Sequence, residues 1–374
     1  MKLNIKYSLL VVILCVSMMS SHAQVFSDKV VGKKNTEVSD SLKNSEYPYM
    51  LPIWGEKVTA LGFDLPYSAG LGVNTIWQES DLTIENLFVG FNNGPQYDLN
   101  EIVRFNKATS RTNGVNFRPD IWVFPFLNAY GIFAQSTTET DVDFGIWVPN
   151  GESSREIFDY GTVAKFNATS VGFGVTPTVG VGGGWFALDM NWTWTDIAEL
   201  DSPARSFVFG PRLGKTFKLK EPQRNINIWV GGFRLKFKSD TDGSLDLSEL
   251  VDDASGLGTR VDNALVGIAE SQEQLDEWYA GLSPPQQIVN LPKYTAGTAI
   301  LSGANSVFSG LANGIENLSN STVQYSLDKG QTNMWNFLIG AQYQHNKHWM
   351  IRAEAGILGT RTQVITGLQY RFGL

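Results

Sequence analysis

Cysteine is nearly absent from this chain, with one residue in 374, and histidine is scarce, with three. Those counts exclude a disulfide-stapled scaffold, a Cys/His zinc module and an iron–sulfur protein. Charge is thin at 18% of residues, and its balance is −8, which excludes a nucleic-acid binder driven by overall positive charge. Beyond the N-terminus no stretch reaches 18 apolar residues, so no transmembrane helix is predicted. What the chain has instead is 37 Gly, 11 Trp and 12% aromatic residues.

The first residues read as a secretory signal peptide over 1–23. Lys2 and Lys6 form a basic start, Leu9 to Met19 an apolar stretch too short to span a bilayer, and Ser21, His22 and Ala23 a cleavage site ending in a small residue. Cys15 does not read as a lipid-attachment site, because Leu14 precedes it where a small residue is expected. Cleavage after Ala23 removes Cys15, His22 and both lysines, which takes the net charge from −8 to −10.

Alternation is the main signal thereafter. In the last run Val364, Leu368, Tyr370, Phe372 and Leu374 oppose Arg361, Gln363, Gly367, Gln369 and Arg371. Earlier, Trp349, Ile351, Ala353, Ala355 and Ile357 oppose Met350, Arg352, Glu354 and Gly356, and Phe337, Ile339, Ala341 and Tyr343 oppose Gly340, Gln342 and Gln344. Phe186, Leu188, Met190, Trp192 and Trp194 oppose Asp189, Asn191 and Thr193, while Phe233, Leu235 and Phe237 oppose Arg234, Lys236 and Lys238. A soluble sandwich hides the apolar face inside; a membrane barrel turns it to lipid and keeps the polar face for the lumen. Three features favour the barrel: aromatics near strand ends, runs near the ~9–11 residues that cross hydrocarbon at a tilt, and an amphipathic final strand.

That final strand, from Gly367 through Tyr370 and Phe372 to Leu374, resembles the C-terminal signal of bacterial outer-membrane β-barrels, with two residues following the last Phe. The resemblance implies an outer-membrane location, contact with outer-membrane lipid, and a last strand read by the barrel insertion machinery. The expected fold is all-β: an antiparallel transmembrane barrel over 67–374, preceded by a periplasmic N-terminal segment or plug over 24–66. About twelve strands are expected, near 69–78, 82–92, 99–108, 114–124, 126–137, 162–175, 179–195, 204–217, 225–238, 334–345, 347–357 and 361–373. An even number places both termini on the periplasmic side and makes 138–161 and 239–333 long extracellular connections. Residues 24–44 read as a polar tail, whereas 47–66, with Pro48, Pro52, Trp54 and Phe63, read as an arm docked on the rim or a plug in the mouth.

The insertion 239–333 is predicted helical. Ile300, Ala304, Val307, Leu311, Ile315 and Leu318 recur every three or four residues, Val261, Leu265 and Ile268 carry a similar pattern, and Ser283, Pro284 and Pro285 divide the two. An antiparallel helical pair would cap the barrel outside or dip into it.

Four candidate chemistries emerge. Asp240, Asp242, Gly243, Asp246 and Glu249 match positions of a calcium loop, but Lys238 stands where the first ligand should be. The alternative is a solvated turn with Asp246 as helix N-cap and Glu249 completing a capping box. Gly180, Gly182, Gly183 and Gly184 lack the context of a phosphate loop and read as barrel-strand glycines. His345 and His348 flank a turn assigned to the periplasmic end, away from the outer leaflet, which disfavours a Ser–His hydrolase and leaves no catalytic residue to name. The fourth is the wall: Arg118, Arg212, Arg234, Lys236 and Arg352 are assigned inward, with Asp120, Asp189 and Glu354 among fewer acids. A basic wall in a confined path favours anionic solutes, unless the arginines pair with carboxylates and simply fill a small barrel. The leading expectation is passive passage or binding of small, anionic solutes. Its rivals are a surface protein whose helical insertion binds a partner, and a lipid- or lipopolysaccharide-modifying barrel enzyme.

Overall fold

The computed structural model describes residue 37 and residues 40–181, 184–197, 202–221, 223–238, 240–251, 253–331, 333–357 and 359–374. The expected signal peptide, Gly182 and Gly183 lie outside the described residues.

Ten antiparallel strands form a closed ring. In ring order they are β1 (Ala69–Phe91), β3 (Val103–Phe124), β4 (Leu127–Asn150), β5 (Ser153–Val181), β6 (Gly184–Ile197), β7 (Ala204–Lys218), β8 (Asn225–Lys238), β11 (Trp335–Gln344), β12 (Trp349–Ile357) and β13 (Arg361–Phe372). The ring closes between β13 and β1, from Ala69 opposite Phe372 to Ser80 opposite Arg361. Closure leaves no unpaired strand edge around the ring, which is the condition for a sheet to sit in lipid. Three further strands, β2 (Tyr97–Asp98), β9 (Asp240–Asp246) and β10 (Thr322–Gln331), lie outside the ring. Among the described residues no helix is long and apolar enough to cross a membrane.

The expected twelve strands are therefore ten in the ring. Residues 69–78 and 82–92 are one strand, β1, and 99–108 and 114–124 fall on another, β3. The breaks expected at 79–81 and 109–113 instead belong to a cross-strand row of charges: Glu79 faces Arg111, Arg111 faces Glu139, and Glu139 faces Lys165. Arg111 pairs with Glu79 at 2.8 Å and Lys165 with Glu139 at 3.0 Å, with Lys107 and Asp141 joined nearby at 2.5 Å. Opposite charges in register stabilise a continuing sheet rather than a turn. Likewise 138–161 is no long connection. It is the extension of β4 and β5, joined by a two-residue turn in which Gly151 takes a φ of 62°, a value open to glycine at little cost.

Strand lengths divide the ring. β11, β12 and β13 have 10, 9 and 12 residues, about what a tilted crossing of hydrocarbon needs, whereas β1, β3, β4 and β5 have 22 to 29. Below the charged row the outward face carries exposed Leu71, Val73, Val115, Phe117, Phe133, Val171 and Phe173. Around the short strands the band continues through Leu213, Ile228, Val230, Ile339, Ile351 and Leu368. An apolar band of this kind on a closed barrel is a lipid-facing surface.

Above the charged row the long strands rise as a curved sheet, joined by β10 beside β1 and β9 beside β10. The residues on its concave face change from Ser136, Thr138 and Thr140 to Phe144, Ile146 and Val148. The insertion packs there: α2 (Leu247–Leu250), α3 (Ala254–Ala280) and α4 (Pro284–Glu316). Leu257, Val261, Ala264, Ile268 and Leu275 of α3 meet Leu301, Ala304, Val307 and Phe308 of α4 over Ile146, Val148 and Phe158 in one buried core. Asp253 caps α3 by accepting from the Gly256 amide at 3.0 Å. Ser283 and Gln286 form a capping box at α4, followed by Pro284, whose missing amide proton costs nothing at that position. The expected antiparallel helical pair is thus present, as a cap on the inward face of the extended sheet.

At the opposite end lie the short turns and both ends of the barrel chain. The arm from Tyr47 docks there: the Leu51 amide donates to the Leu374 carbonyl at 3.2 Å and the Ile53 amide to the Val123 carbonyl at 2.9 Å. Trp54, just before the short helix α1 (Gly55–Thr59), packs on Phe124 and Phe126, and Tyr49 packs on Tyr67. Lys347 in the β11–β12 turn ties the arm to the rim through Asp64 at 2.8 Å.

Candidate lumen site

Inside the turn-end half of the barrel is a cavity of about 310 Å³. Asp64, Leu65 and Pro66 of the arm line one side; Asn74, Arg118, Asp120, Asp189, Arg212, Trp229, Arg352, Gln369 and Arg371 line the wall.

The wall residues are cross-linked. Arg212 on β7 donates through Nε and Nη2 to the two oxygens of Glu354 on β12, at 2.9 and 3.0 Å. Its Nη1 reaches Asp189 on β6 at 3.1 Å. Asp189 also accepts from the Tyr130 hydroxyl at 2.6 Å and from Thr176 at 2.7 Å, and Arg118 on β3 stands 3.9 Å away. Arg118 lies 3.4 Å over the Tyr130 ring. Glu354 further accepts from Arg352 at 3.0 Å and from Trp229 Nε1 at 2.9 Å. Four of these links join strands that are not ring neighbours: Arg212 to Glu354, Trp229 to Glu354, Tyr130 to Asp189 and Arg118 to Asp189, so the network braces the barrel across its interior. Nearer the turns, buried Arg371 pairs with Asp120 at 2.5 Å, and Asp120 also accepts from Asn128 at 2.8 Å and from Gln369.

Glycines make room for the large rings of this network. Trp229 lies over Gly340 and Tyr130 over Gly174, and a Cβ at either glycine would overlap the ring. An inward aromatic covering a cross-strand glycine fills the narrow lumen of a small barrel without pushing the strands apart.

Three of the five expected wall cations, Arg118, Arg212 and Arg352, come together here. Arg234 and Lys236 do not. Phe233 is 7% exposed and packs with Trp229 and Leu338 inside, so the intervening residues of β8 face outward. Arg234 stands in register with Trp335, which is 51% exposed, and both it and Lys236 are exposed. The reason is that Trp229 over Gly340 of β11 and Phe233 beside Gly356 of β12 fill the lumen next to the arginines of β12 and β13, so here the apolar face turns inward. Arg361 illustrates the same packing, its guanidinium lying 4.9 Å over the Phe233 ring.

Asp240, Asp242 and Asp246 fall on the regular strand β9, paired residue by residue with β10, and Glu249 lies in the helical turn α2 that follows. A paired strand keeps its backbone extended over Asp240–Asp246, so the backbone turn of a twelve-residue calcium loop is not formed there. Among the described residues no three His, Cys, Asp or Glu side chains gather as metal ligands would. Asp246 occupies the N-cap position of α2 without a side-chain capping bond. His345 and His348 sit in the β11–β12 turn, at the end where the arm docks beside Leu374; His348 Nδ1 is 2.8 Å from the Arg371 carbonyl, and its ring stacks on Tyr370.

Tyr130, Trp229, Thr176, Asn128 and Gln369 belong to the site and were not singled out in the sequence. The available signal was the pairing of inward acids with aromatic residues opposite glycine-bearing strands.

No family model and no curated protein matches the chain. Among solved structures it is similar to the β domain of the Bordetella autotransporter BrkA, at 8% identity, with 82% of this chain and 100% of that one covered and a TM-score of 0.34. It is also similar to the translocator domain of the autotransporter NalP from Neisseria meningitidis, at 10% identity, 85% and 94% coverage and a TM-score of 0.30. An outer membrane channel from Pseudomonas putida F1 aligns at 9% identity, 82% and 96% coverage and a TM-score of 0.26. In architecture the chain resembles bacterial outer-membrane β-barrels, and at these scores the likeness carries nothing further.

Proposed function

We propose that this chain is an outer-membrane barrel that binds small anionic solutes in its lumen and lets them pass, with the helical cap on the extracellular side. The observation that carries the reading is the charge of the cavity. Arg118, Arg212, Arg352, Arg371, Lys218 and Lys347 line it, against Asp64, Asp120 and Asp189, with Glu354 adjoining. That is an excess of cations in a chain whose formal charge is −8. In a confined, partly desolvated space such an excess concentrates anions. The cavity volume suits a small solute rather than a polymer. The cross-braces narrow the route towards the cap, so the barrel is a low-conductance, selective path rather than an open porin.

The test is a planar-bilayer recording under a salt gradient. The expected reversal potential has the sign of anion selectivity, and Arg118→Gln with Arg352→Gln moves it towards zero. Absence of conductance, together with no change in tryptophan fluorescence when small anions are titrated onto the detergent-solubilised barrel, would overturn the reading. Trp229, Trp185 and Trp122 line the cavity and report on occupancy.

A second reading rests on the cap. Ile288 and Val289 are 77% and 76% exposed on the largely exposed first half of α4, whose second half packs in the cap core. Such a pair on a cap distant from lipid fits a surface that binds a partner. Removal of residues 245–325 would then abolish partner binding while leaving the barrel inserted.

A further inference from the structure

The two cations that leave the lumen define a second site. We infer that Arg205, Arg234 and Lys236 form an outward-facing binding site for the phosphate-bearing headgroup of a membrane lipid. The inference rests on the barrel being membrane-embedded and goes beyond the lumen function.

Position comes first. Read away from the turn end, the outward residues of β8 are Ile226, Ile228, Val230, Gly232, Arg234 and Lys236. The strand runs apolar for its first eight residues or so, then becomes cationic, near the height at which a tilted strand leaves hydrocarbon. Neighbouring strands change at the same height. Lys236 faces Phe207, Arg234 faces Phe209 and Trp335, and Arg205 faces Trp194. The aromatic side chains form two clusters side by side: Trp192 lies 5.0 Å from Phe207 and 5.4 Å from Phe173, and Phe209 meets Trp335 edge-on at 6.2 Å. Aromatic residues with cations immediately beyond them mark a membrane–water interface.

Charge completes the argument. On the other half of the barrel the outward charges at the rim answer one another, as Arg111 does Glu79 and Lys165 does Glu139. On this half they do not. Among the described residues Arg205, Arg234 and Lys236 form no ion pair, and the one bond Arg234 donates is to the Met334 sulfur at 3.5 Å. Asp196, on the outward face of β6, forms no ion pair with them either. Three cations above an aromatic shelf at the lipid boundary complement an anionic headgroup. Arginine supplies the fork that grips phosphate oxygens, and the aromatic rings pack against the acyl chains beneath.

The test uses the full barrel reconstituted in mixed phosphatidylglycerol and phosphatidylcholine vesicles, extracted in mild detergent, with retained lipid counted by native mass spectrometry. Wild type is expected to retain phosphatidylglycerol preferentially. The variant Arg205→Gln, Arg234→Gln, Lys236→Gln loses roughly fivefold in retention for each cation neutralised. A comparison variant with Lys107, Arg111 and Lys165 all changed to Gln keeps the wild-type preference, because those charges are already paired. Excess inorganic phosphate leaves retention unchanged; displacement by phosphate would overturn the lipid as the occupant. Equal retention in wild type and triple variant, with the heat-modifiable gel shift intact in both, overturns the site alone. Loss of that shift in wild type overturns the membrane placement and the site with it.

Discussion

Replacing Arg212 by Met tests whether the lumen network holds the barrel together. The side chain is 12% exposed and its partners Asp189 and Glu354 are 9% and 6% exposed, so all three are largely withdrawn from water. Removing one partner of such a pair leaves the other charge uncompensated and costs about 3–5 kcal/mol. Here neither carboxylate is stranded. Asp189 keeps Tyr130 and Thr176, and Glu354 keeps Arg352 and Trp229. The loss is therefore placed at the low end, about 3 kcal/mol. With a urea slope of about 2 kcal/mol per molar, the midpoint falls by roughly 1.5 M. The assay is reversible urea unfolding in thin lipid vesicles followed by tryptophan fluorescence. Arg212→Lys keeps the charge but not the fork that holds both oxygens of Glu354, so it should recover only part of the loss. A double-mutant cycle with Glu354→Gln should give a coupling energy above about 1 kcal/mol. A loss under about 0.5 kcal/mol for Arg212→Met, with no coupling to Glu354, would refute the brace and leave these residues as wall lining only.

Other outcomes follow from the cap and the arm. Phe308→Ala, at a side chain 1% exposed in the cap core, should cost the cap about 3–5 kcal/mol. Limited proteolysis should then cut α3 and α4 while the barrel's heat-modifiable shift is unchanged. Burial pushes the Tyr47 phenol up from 10.0 to about 12, and its hydroxyl donates to the Leu51 carbonyl at 2.7 Å. The neutral phenol is the form that docks, so its contribution is complete below pH 10.0 and is lost as pH rises through about 12. Protease release of the arm should follow that window, and Tyr47→Phe should flatten it. Because residues 240–246 are a paired strand, calcium addition or chelation should leave thermal unfolding of the cap unchanged; a calcium-dependent rise in its melting temperature would mean that the loop forms after all.

The barrel was legible because a period of two is imposed by lipid outside and water or packed polar groups inside. On β6, β11, β12 and β13 the face assigned to lipid is the exposed one: Phe186, Trp194, Phe337, Ile339, Trp349, Ile351, Val364 and Leu368 all lie outside. The helical pair was legible from its own period, and Ala304 and Val307 are buried where that period put them. Strand ends were less legible. A strand that continues beyond the membrane exchanges its apolar outward residues for charged ones, and in sequence that exchange looks like a turn. Glu79 and Arg111 are read correctly only with knowledge of what they face, and register is a property of two strands rather than one.

The error on β8 has a different origin. Its sequence from Ile226 to Phe237 alternates, yet both faces carry large apolar residues: Ile226, Ile228 and Val230 on one, Trp229, Phe233 and Leu235 on the other. Periodicity alone cannot decide between such faces, so the cations Arg234 and Lys236 tipped the reading towards the lumen. The deciding facts lie on other strands. Gly340 on β11 leaves a hollow that Trp229 fills, Glu354 on β12 accepts the indole proton, and Arg361 on β13 covers Phe233. An inward aromatic is stable where a glycine faces it and a buried acid needs a donor, and an outward cation is stable where the strand has already risen to the headgroups. The same two conditions separate braced lumen arginines such as Arg212 from rim cations such as Arg234: the first has carboxylates within reach on β6 and β12, and the second has an aromatic shelf and the membrane boundary.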